Sequence, residues 1–286
     1  MTEVVRKDMP IEVRTVGTAE AVSTVQVIPQ VGGLVQQVHF KEGDFVKKGD
    51  LLFTIDTRPY QASLSAAQAE LEKSRALADQ AHQELARFES LAREGVATQV
   101  DLSQKRANAA ALDATLGANR AAIVGSSINV QYAAIRSPID GRTGSLLVHA
   151  GNVVRATDAR SLVVIRTIQP IYVRFAVPEQ FLPKIRAATQ KGPVVVEAKP
   201  RGADGDAAGG TLTFIENSVD PTSGKIDMKG EFRNDGQILW PGQLVDVMVR
   251  LGVEKDALVV PEFAVQTGQE GAYTFVVGAN MLAELR

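Results

Sequence analysis

The stretch VQVIPQVGGLVQQVHFKEGDFVKKGDLLFTID, Val25–Asp56, decides the fold because a second stretch repeats its punctuation. Tyr132–Ile165, YAAIRSPIDGRTGSLLVHAGNVVRATDARSLVVI, carries the same order of signals. In each, a proline opens a turn (Pro29, Pro138), glycines follow, apolar residues alternate, and a Gly-polar-x-Val turn (Gly43 to Val46, Gly151 to Val154) precedes a last apolar strand. Proline presets φ for a turn and glycine tolerates the left-handed region, so each half reads as short strands of period two joined by tight turns. Halves that match this closely are expected to pack face to face as one small β-unit. The residues between them are then an insertion that the unit holds out.

Outward from Asp56 the period changes. Pro59 suits the first helical turn, where its missing N–H costs nothing. From there Tyr60, Leu64, Ala67, Leu71, Ser74, Ala78, Ala81, Leu85, Phe88 and Ala92 recur at alternating steps of four and three. Roughly five heptads in strict sevens predict a coiled-coil seam rather than an ordinary amphipathic helix. Gly95 is placed to end the helix as a left-handed cap, and Thr98 to begin the next as its N-cap. The second seam is Leu102, Ala109, Leu112, Leu116, Ile123 and Val130, diluted by Lys105, Asn119 and Ser126. With so few residues between them the helices must fold back as an antiparallel hairpin, and at about 1.5 Å per residue the arm is on the order of 50 Å long. A further stripe, Ala107, Ala111, Ala114, Ala118, Ala121 and Gly125, lies roughly opposite the leucine seam. It reads either as alanine filling a solvated face or as a flat surface along which a second hairpin lies.

The flanks are β-rich. Val4 to Val27 predicts one or two strands, and Arg166 to Gly252 predicts several short strands with one short helix in EQFLPKIRAATQKG, the signature of a closed six-stranded barrel or a sandwich. The run RGADGDAAGG reads as a flexible connection between strands, and DPTSG (Asp220 to Gly224) as a turn. Strand-like runs continue from Val253 to the last residues.

Composition narrows function. The 286 residues carry net charge -2 with 5% aromatics, which gives no basic surface and few stacking platforms for nucleic acid. With no cysteine, thiol chemistry and Cys-ligated zinc are excluded. The three histidines are His39, His82 and His149; His39 and His149 hold similar places in the two half-motifs, where tolerated strand histidines are expected rather than a metal site or pH switch. The methionines are scattered, against a copper-loading cluster, and the Gly-rich run lacks a phosphate loop's lysine. No catalytic constellation, metal site or cofactor site emerges.

The half-motif resembles the lipoyl and biotinyl carrier domain, in which a lysine at the hairpin joining the halves bears the cofactor. Here the junction reads FTIDTRPY, without that lysine, and the helical arm stands in its place. A split lipoyl-like unit with an inserted helical hairpin, together with IRSPIDGRTG, IQPIYVRFAVPE, ENSVDPTSGKIDMKGEFRN, LWPGQLVDV and VVPEFAVQ, resembles the periplasmic adaptors, or membrane fusion proteins, of resistance-nodulation-division (RND) tripartite multidrug efflux pumps, in the hemolysin-secretion-D-like family. The resemblance implies a mainly β, elongated multidomain chain with a long α-helical hairpin. Residues 25–56 and 131–165 would form the lipoyl-like domain, 57–130 the hairpin, 9–24 and 166–252 the β-barrel, and 1–8 with 253–286 an incomplete membrane-proximal domain.

It also implies a non-enzymatic adaptor, without cofactor, that bridges an inner-membrane RND transporter and a TolC-like outer-membrane channel and self-associates in a ring, as a trimer or hexamer. In the family an Arg, a Leu four residues on and a Ser seven further dock the hairpin tip onto the channel; the matching positions are Arg87, Leu91 and Thr98, with threonine keeping the hydroxyl. An adaptor of an ABC-type exporter or type I secretion system shares the architecture, usually with a longer hairpin. By the same resemblance the protein is periplasmic, held at the inner membrane by an N-terminal segment that precedes this sequence, and its membrane-proximal domain continues past the last residue.

Overall fold

In the computed structural model, which describes residues 4–158, 160–202, 205–268, 271–277 and 283–285, the repeated punctuation appears as repeated hydrogen bonding. In KEGD the Asp44 carboxylate accepts from the Lys41 N–H at 2.8 Å while the Asp44 N–H donates to the Lys41 carbonyl at 3.1 Å. In HAGN the Asn152 side chain accepts from the His149 N–H at 3.0 Å and the Asn152 N–H donates to the His149 carbonyl at 3.1 Å. The third residue of each turn is a left-handed glycine, Gly43 at φ 82° and Gly151 at φ 90°. KKGD repeats the pattern, with the Asp50 carboxylate on the Lys47 N–H at 2.7 Å and Gly49 at φ 94°.

The strands these turns connect interlock rather than stack as two separate halves. β1 (Val5–Val27) leads into β2 (Gly33–Val38), β3 (Phe45–Val46) and β4 (Leu51–Ile55); after the arm come β5 (Ala134–Arg136), β6 (Gly141–Thr143), β7 (Val153–Val154) and the first residues of β8 (Val163–Pro178). β4 pairs with β5, β3 with β6 and β2 with β7, so each half supplies the other's hydrogen-bond partners. Both halves line one core: Val35, Leu52, Phe53 and Ile55 from the first, Ala133, Leu162, Val163 and Ile165 from the second. Period-two alternation turns every second residue to one face, and a small two- or three-stranded piece needs a second layer to cover that face.

Between the halves run two helices, α1 (Arg58–Arg93) and α2 (Gln99–Tyr132). Residues 23–167, which hold the β-unit and both helices, form one unit, and residues 1–22 with 168–286 another.

The second unit is built on a closed barrel. In β-order it runs β1, β12 (Leu244–Val259), β9 (Val195–Pro200), β10 (Ala208–Ile215), β11 (Lys225–Phe232) and β8, and β8 pairs back to β1. Closure decides between the barrel and sandwich readings. The two strands approach closely where Gly17 faces β8: a Cβ there would sit 2.7 Å from the Arg174 carbonyl oxygen. The interior holds Ile171, Val173, Phe175 and Val177 of β8 with Met228, Phe232, Val247 and Val249; Ile185 of α3 (Leu182–Lys191) and Leu239 join them. Asn234, buried at φ 57°, pins the loop around Leu239 by bonding its N–H and carbonyl and the Ile168 carbonyl at 2.9–3.0 Å.

Of the one or two strands expected at the N-terminal segment, the structure forms one continuous strand, β1, bulged between Lys7 and Met9 and between Ile11 and Glu12. One expectation is corrected. The end of the Gly-rich run is strand, not loop: Gly210 pairs with Phe232 and Val196, because without a Cβ the Phe232 ring and Glu231 carbonyl can approach to about the distance a methyl would fill. Residues 203 and 204 of that run, and 1–3, 269–270, 278–282 and 286 of the expected membrane-proximal segments, lie outside the described residues.

Candidate functional site

The arm is positioned at its base and registered along its length. At the base the Ile55 N–H donates to the Ala133 carbonyl at 2.8 Å, and the Tyr60 hydroxyl donates to the Gly32 carbonyl. Asp56 accepts from both the Arg58 side chain, at 2.6 Å, and its backbone N–H, at 3.1 Å. The Arg58 side-chain bond, reinforced by that N–H, holds the Asp56 carboxyl below the usual carboxylate range. At the junction where a carrier domain keeps its lysine, Asp56 thus closes a turn onto Arg58 just ahead of α1, whose N-cap is Thr57.

Along α1 each residue of the expected seam, from Tyr60 to Ala92, is turned from solvent, and on α2 so are Leu102, Ala109, Leu112, Leu116, Ile123 and Val130. Lys105, Asn119 and Ser126 are shielded too, so the residues that dilute the repeat are themselves in the seam. For Lys105 and Asn119 the polarity is matched across it. Lys105 Nζ donates to Glu84 Oε2 at 3.0 Å and lies 5.1 Å from the Phe88 ring centroid. Asn119 Nδ2 donates to the buried Ser74 Oγ at 2.7 Å. Any slipped pairing would strand both groups, at about 1–3 kcal/mol for each unsatisfied polar group, so this layer specifies register. On the arm's flank His82 Nε2 shares a hydrogen bond with Asp113 Oδ1 at 2.9 Å, and Arg106 pairs with Glu89 at 3.3 Å.

At the far end the chain turns in five residues, and the amides of Glu94, Gly95, Val96 and Ala97 are all hydrogen-bonded. The Gly95 N–H donates to the Ala92 carbonyl at 3.2 Å and the Val96 N–H to the Leu91 carbonyl at 2.9 Å, a Schellman arrangement that needs Gly95 at φ 77°. Thr98 caps α2: its Oγ1 accepts from the Asp101 N–H at 3.1 Å and donates to Asp101 Oδ2 at 2.6 Å. The structure thus puts Leu91 and Thr98 on the two sides of one turn, with Leu91 half-buried and Thr98 exposed. Arg87 is exposed one turn back along α1 and makes no hydrogen bond or ion pair among the described residues. Sequence reasoning passed over Val96 and Val100, both exposed at this turn. The available signal was that neither falls in the four-three seam, so neither has a buried layer to join.

The alanine stripe is exposed from Ala107 to Ala121, and α2 fully buries only Ala109. His39 does not join His149: it shares a 2.7 Å hydrogen bond with Thr54 Oγ1, while His149 is exposed in its turn. Among the described residues no three His, Asp or Glu side chains are grouped to hold a metal ion, and no helix is long and apolar enough to cross a membrane.

Comparison with known proteins agrees with this geometry. The barrel-sandwich hybrid domain of RND membrane fusion proteins matches residues 23–166, and the β-barrel domain of RND membrane fusion proteins matches residues 170–253. Multidrug resistance protein MdtA of Pantoea ananatis is 35% identical over 274 residues, covering 96% of this chain and 67% of that protein. MdtA of Yersinia enterocolitica is 36% identical over 266 residues, covering 91% and 60%. The chain therefore spans about two thirds of the length of such relatives. A MacA–MexA chimera carrying the Pseudomonas aeruginosa MexA α-hairpin shares the fold at a TM-score of 0.65 and 21% identity, over 91% of this chain and 88% of that one. MacA from Actinobacillus actinomycetemcomitans does so at 0.62 and 22%, over 100% and 91%. Because one family domain falls on the interlocked β-unit with its arm and the other on the closed barrel, the chain belongs to the RND membrane fusion proteins.

Proposed function

We propose that the tip carrying Arg87, Leu91 and Thr98 docks onto a TolC-like outer-membrane channel while the barrel and the strands beyond it engage an inner-membrane RND transporter. Family membership makes the chain a periplasmic adaptor of RND-type multidrug efflux, which acts by aligning other proteins rather than by chemistry of its own. The observation that carries the docking assignment is the unpaired Arg87 beside a rigidly capped turn: other cations of the distal arm, Lys105 and Arg106, are tied across the hairpin to Glu84 and Glu89. A free guanidinium on a solvent-facing helix surface near the turn is available to a carboxylate or to carbonyls at a helix end.

The proposed adaptor assembles in a ring, with Ala107, Ala111, Ala114, Ala118 and Ala121 letting one arm lie along the next, and is held at the inner membrane by an N-terminal anchor. Cysteine pairs at Ala114 in mixed protomers should crosslink in the assembled pump; an assembled sample without crosslink removes the lateral role. For docking, Arg87→Glu together with Thr98→Glu should leave the barrel intact and cut channel capture and drug efflux. Efflux at the wild-type level would remove the tip from the docking surface.

A further inference from the structure

Thr98 does not present its hydroxyl to a partner in the simplest way, because the oxygen already donates to the Asp101 carboxylate at 2.6 Å and accepts from the Asp101 N–H at 3.1 Å. Leu91 is half-buried, and its carbonyl is taken by the amides of Val96 and Ala97 at 2.9 and 3.3 Å. What the turn does present is Val96, 71% exposed, and Val100, 75% exposed, the most exposed large apolar side chains among the described residues of the arm. They flank the cap: Val96 follows the left-handed Gly95, and Val100 lies in the first turn of α2. Single exposed apolar residues need no explanation, but Val96, on a turn whose Glu94 to Ala97 amides are all hydrogen-bonded, and Val100, in the first turn of the helix that Thr98 caps, are held in place at a solvation cost.

The position of the pair also selects its occupant. Both valines lie beyond the last seam layer, Ala92 with Leu102, so a second copy lying along the arm would cover the helix sides and the alanine stripe but leave the turn bare. Only a partner meeting the arm end-on covers Val96. Resting on the docking reading of the tip, we infer that Val96 and Val100 are the apolar contact through which this arm engages the channel, that Arg87 supplies the flanking ionic contact, and that Thr98 is a positioning residue. The partner surface this fits is an apolar crevice between helix ends, bordered by a carboxylate or free carbonyls for the guanidinium.

The test uses full-length adaptor and the purified outer-membrane channel as the immobilised probe, in low salt and in about 1 M salt, where charge attraction is screened within about 3 Å. Val96→Asn and Val100→Asn should each weaken capture about ten-fold, and together more, equally at both salt concentrations, since burying a valine is insensitive to screening. Arg87→Gln should weaken it chiefly at low salt. Thr98→Ala should lower both capture and the hydrogen-exchange protection of the Asp101 amide, and Thr98→Ser should restore both. If the double valine variant binds like wild type while Arg87→Gln does not, the valine contact is overturned and docking at the tip stands. If no variant changes capture, the docking reading itself falls. If Thr98→Ala weakens capture with Asp101 protection unchanged, Thr98 touches the channel directly and its positioning role is wrong.

Discussion

The barrel and the arm reach stability by opposite means. Inside the barrel, large side chains such as Phe175, Phe232, Ile171 and Met228 are almost wholly removed from water on all sides. The arm fully buries only Ser74, Ala78 and Ala81 from α1 and Ala109 from α2, because two helices alone shield one narrow stripe on each other. The barrel's folding free energy therefore resides in apolar volume. The arm's resides in correct layering, in polar pairs that punish a slip, and in the bonds that tie its base to the β-unit. Elements of low local stability are where binding surfaces that must adapt are commonly carried, and here the exposed tip sits on the less buried of the two.

The comparison breaks most visibly in the barrel. Phe232→Ala removes a fully buried ring that packs on Gly210, and should cost about 3–5 kcal/mol. Hydrogen exchange resolved along the chain should show β8 to β11 losing protection while α1 and α2 keep theirs. Loss in both together would mean that barrel and arm unfold as one, and the contrast would be wrong. In the arm the corresponding change is smaller and differs in kind. Asn119→Ala leaves the Ser74 hydroxyl, 3% exposed, without its partner, and should cost about 1–3 kcal/mol in the helical melt. Ser74→Ala combined with it should cost clearly less than the sum of the two, since no stranded group remains. Additive costs would show that the layer does not set register.

Much of this was legible before the structure. The four-three steps named every residue of the α1 seam, and Gly95 and Thr98 named both ends of the turn, because capping and heptad spacing are local rules that tertiary packing did not override. The pairing of β3 with β6 and β4 with β5 was not legible as such: a repeat shows that two halves match, but interlocking and stacking satisfy the same alternation. Lys105 and Asn119 looked like dilution because a linear pattern scores each position by polarity, whereas Glu84 and Ser74, the groups that satisfy them, lie about 20 and 45 residues away in the chain. The proposed docking role of the tip came through resemblance, which supplied Arg87, Leu91 and Thr98 but not Val96 or Val100. Gly210 was read as loop since glycine's turn preference outweighs its rarer use where an aromatic ring needs room.

The smallest effect separates the two regions by pH. Asp56 at the arm's base and Asp220 in the β10–β11 connection both titrate below the ordinary carboxylate value, the first through the Arg58 side-chain bond, the second through the Thr222 N–H at 2.8 Å and the Ser223 hydroxyl at 2.8 Å. A carboxyl with a depressed folded pKa contributes stability that is present in full above its unfolded value, about 3.9, and lost as pH falls through the lower folded value. Both contributions should thus be constant from pH 7 to about 5 and disappear only below about pH 4. Asp56→Asn should flatten that acid loss for the first turn of α1 alone, leaving the connection between β10 and β11 unchanged, and Asp220→Asn should do the reverse. Amide exchange at Arg58 and at Thr222 across that range reads the two separately. If either substitution altered the acid response at both sites, the carboxyls would be reporting a shared unfolding step, and the arm would owe its base to the barrel's stability rather than to its own Asp56–Arg58 turn.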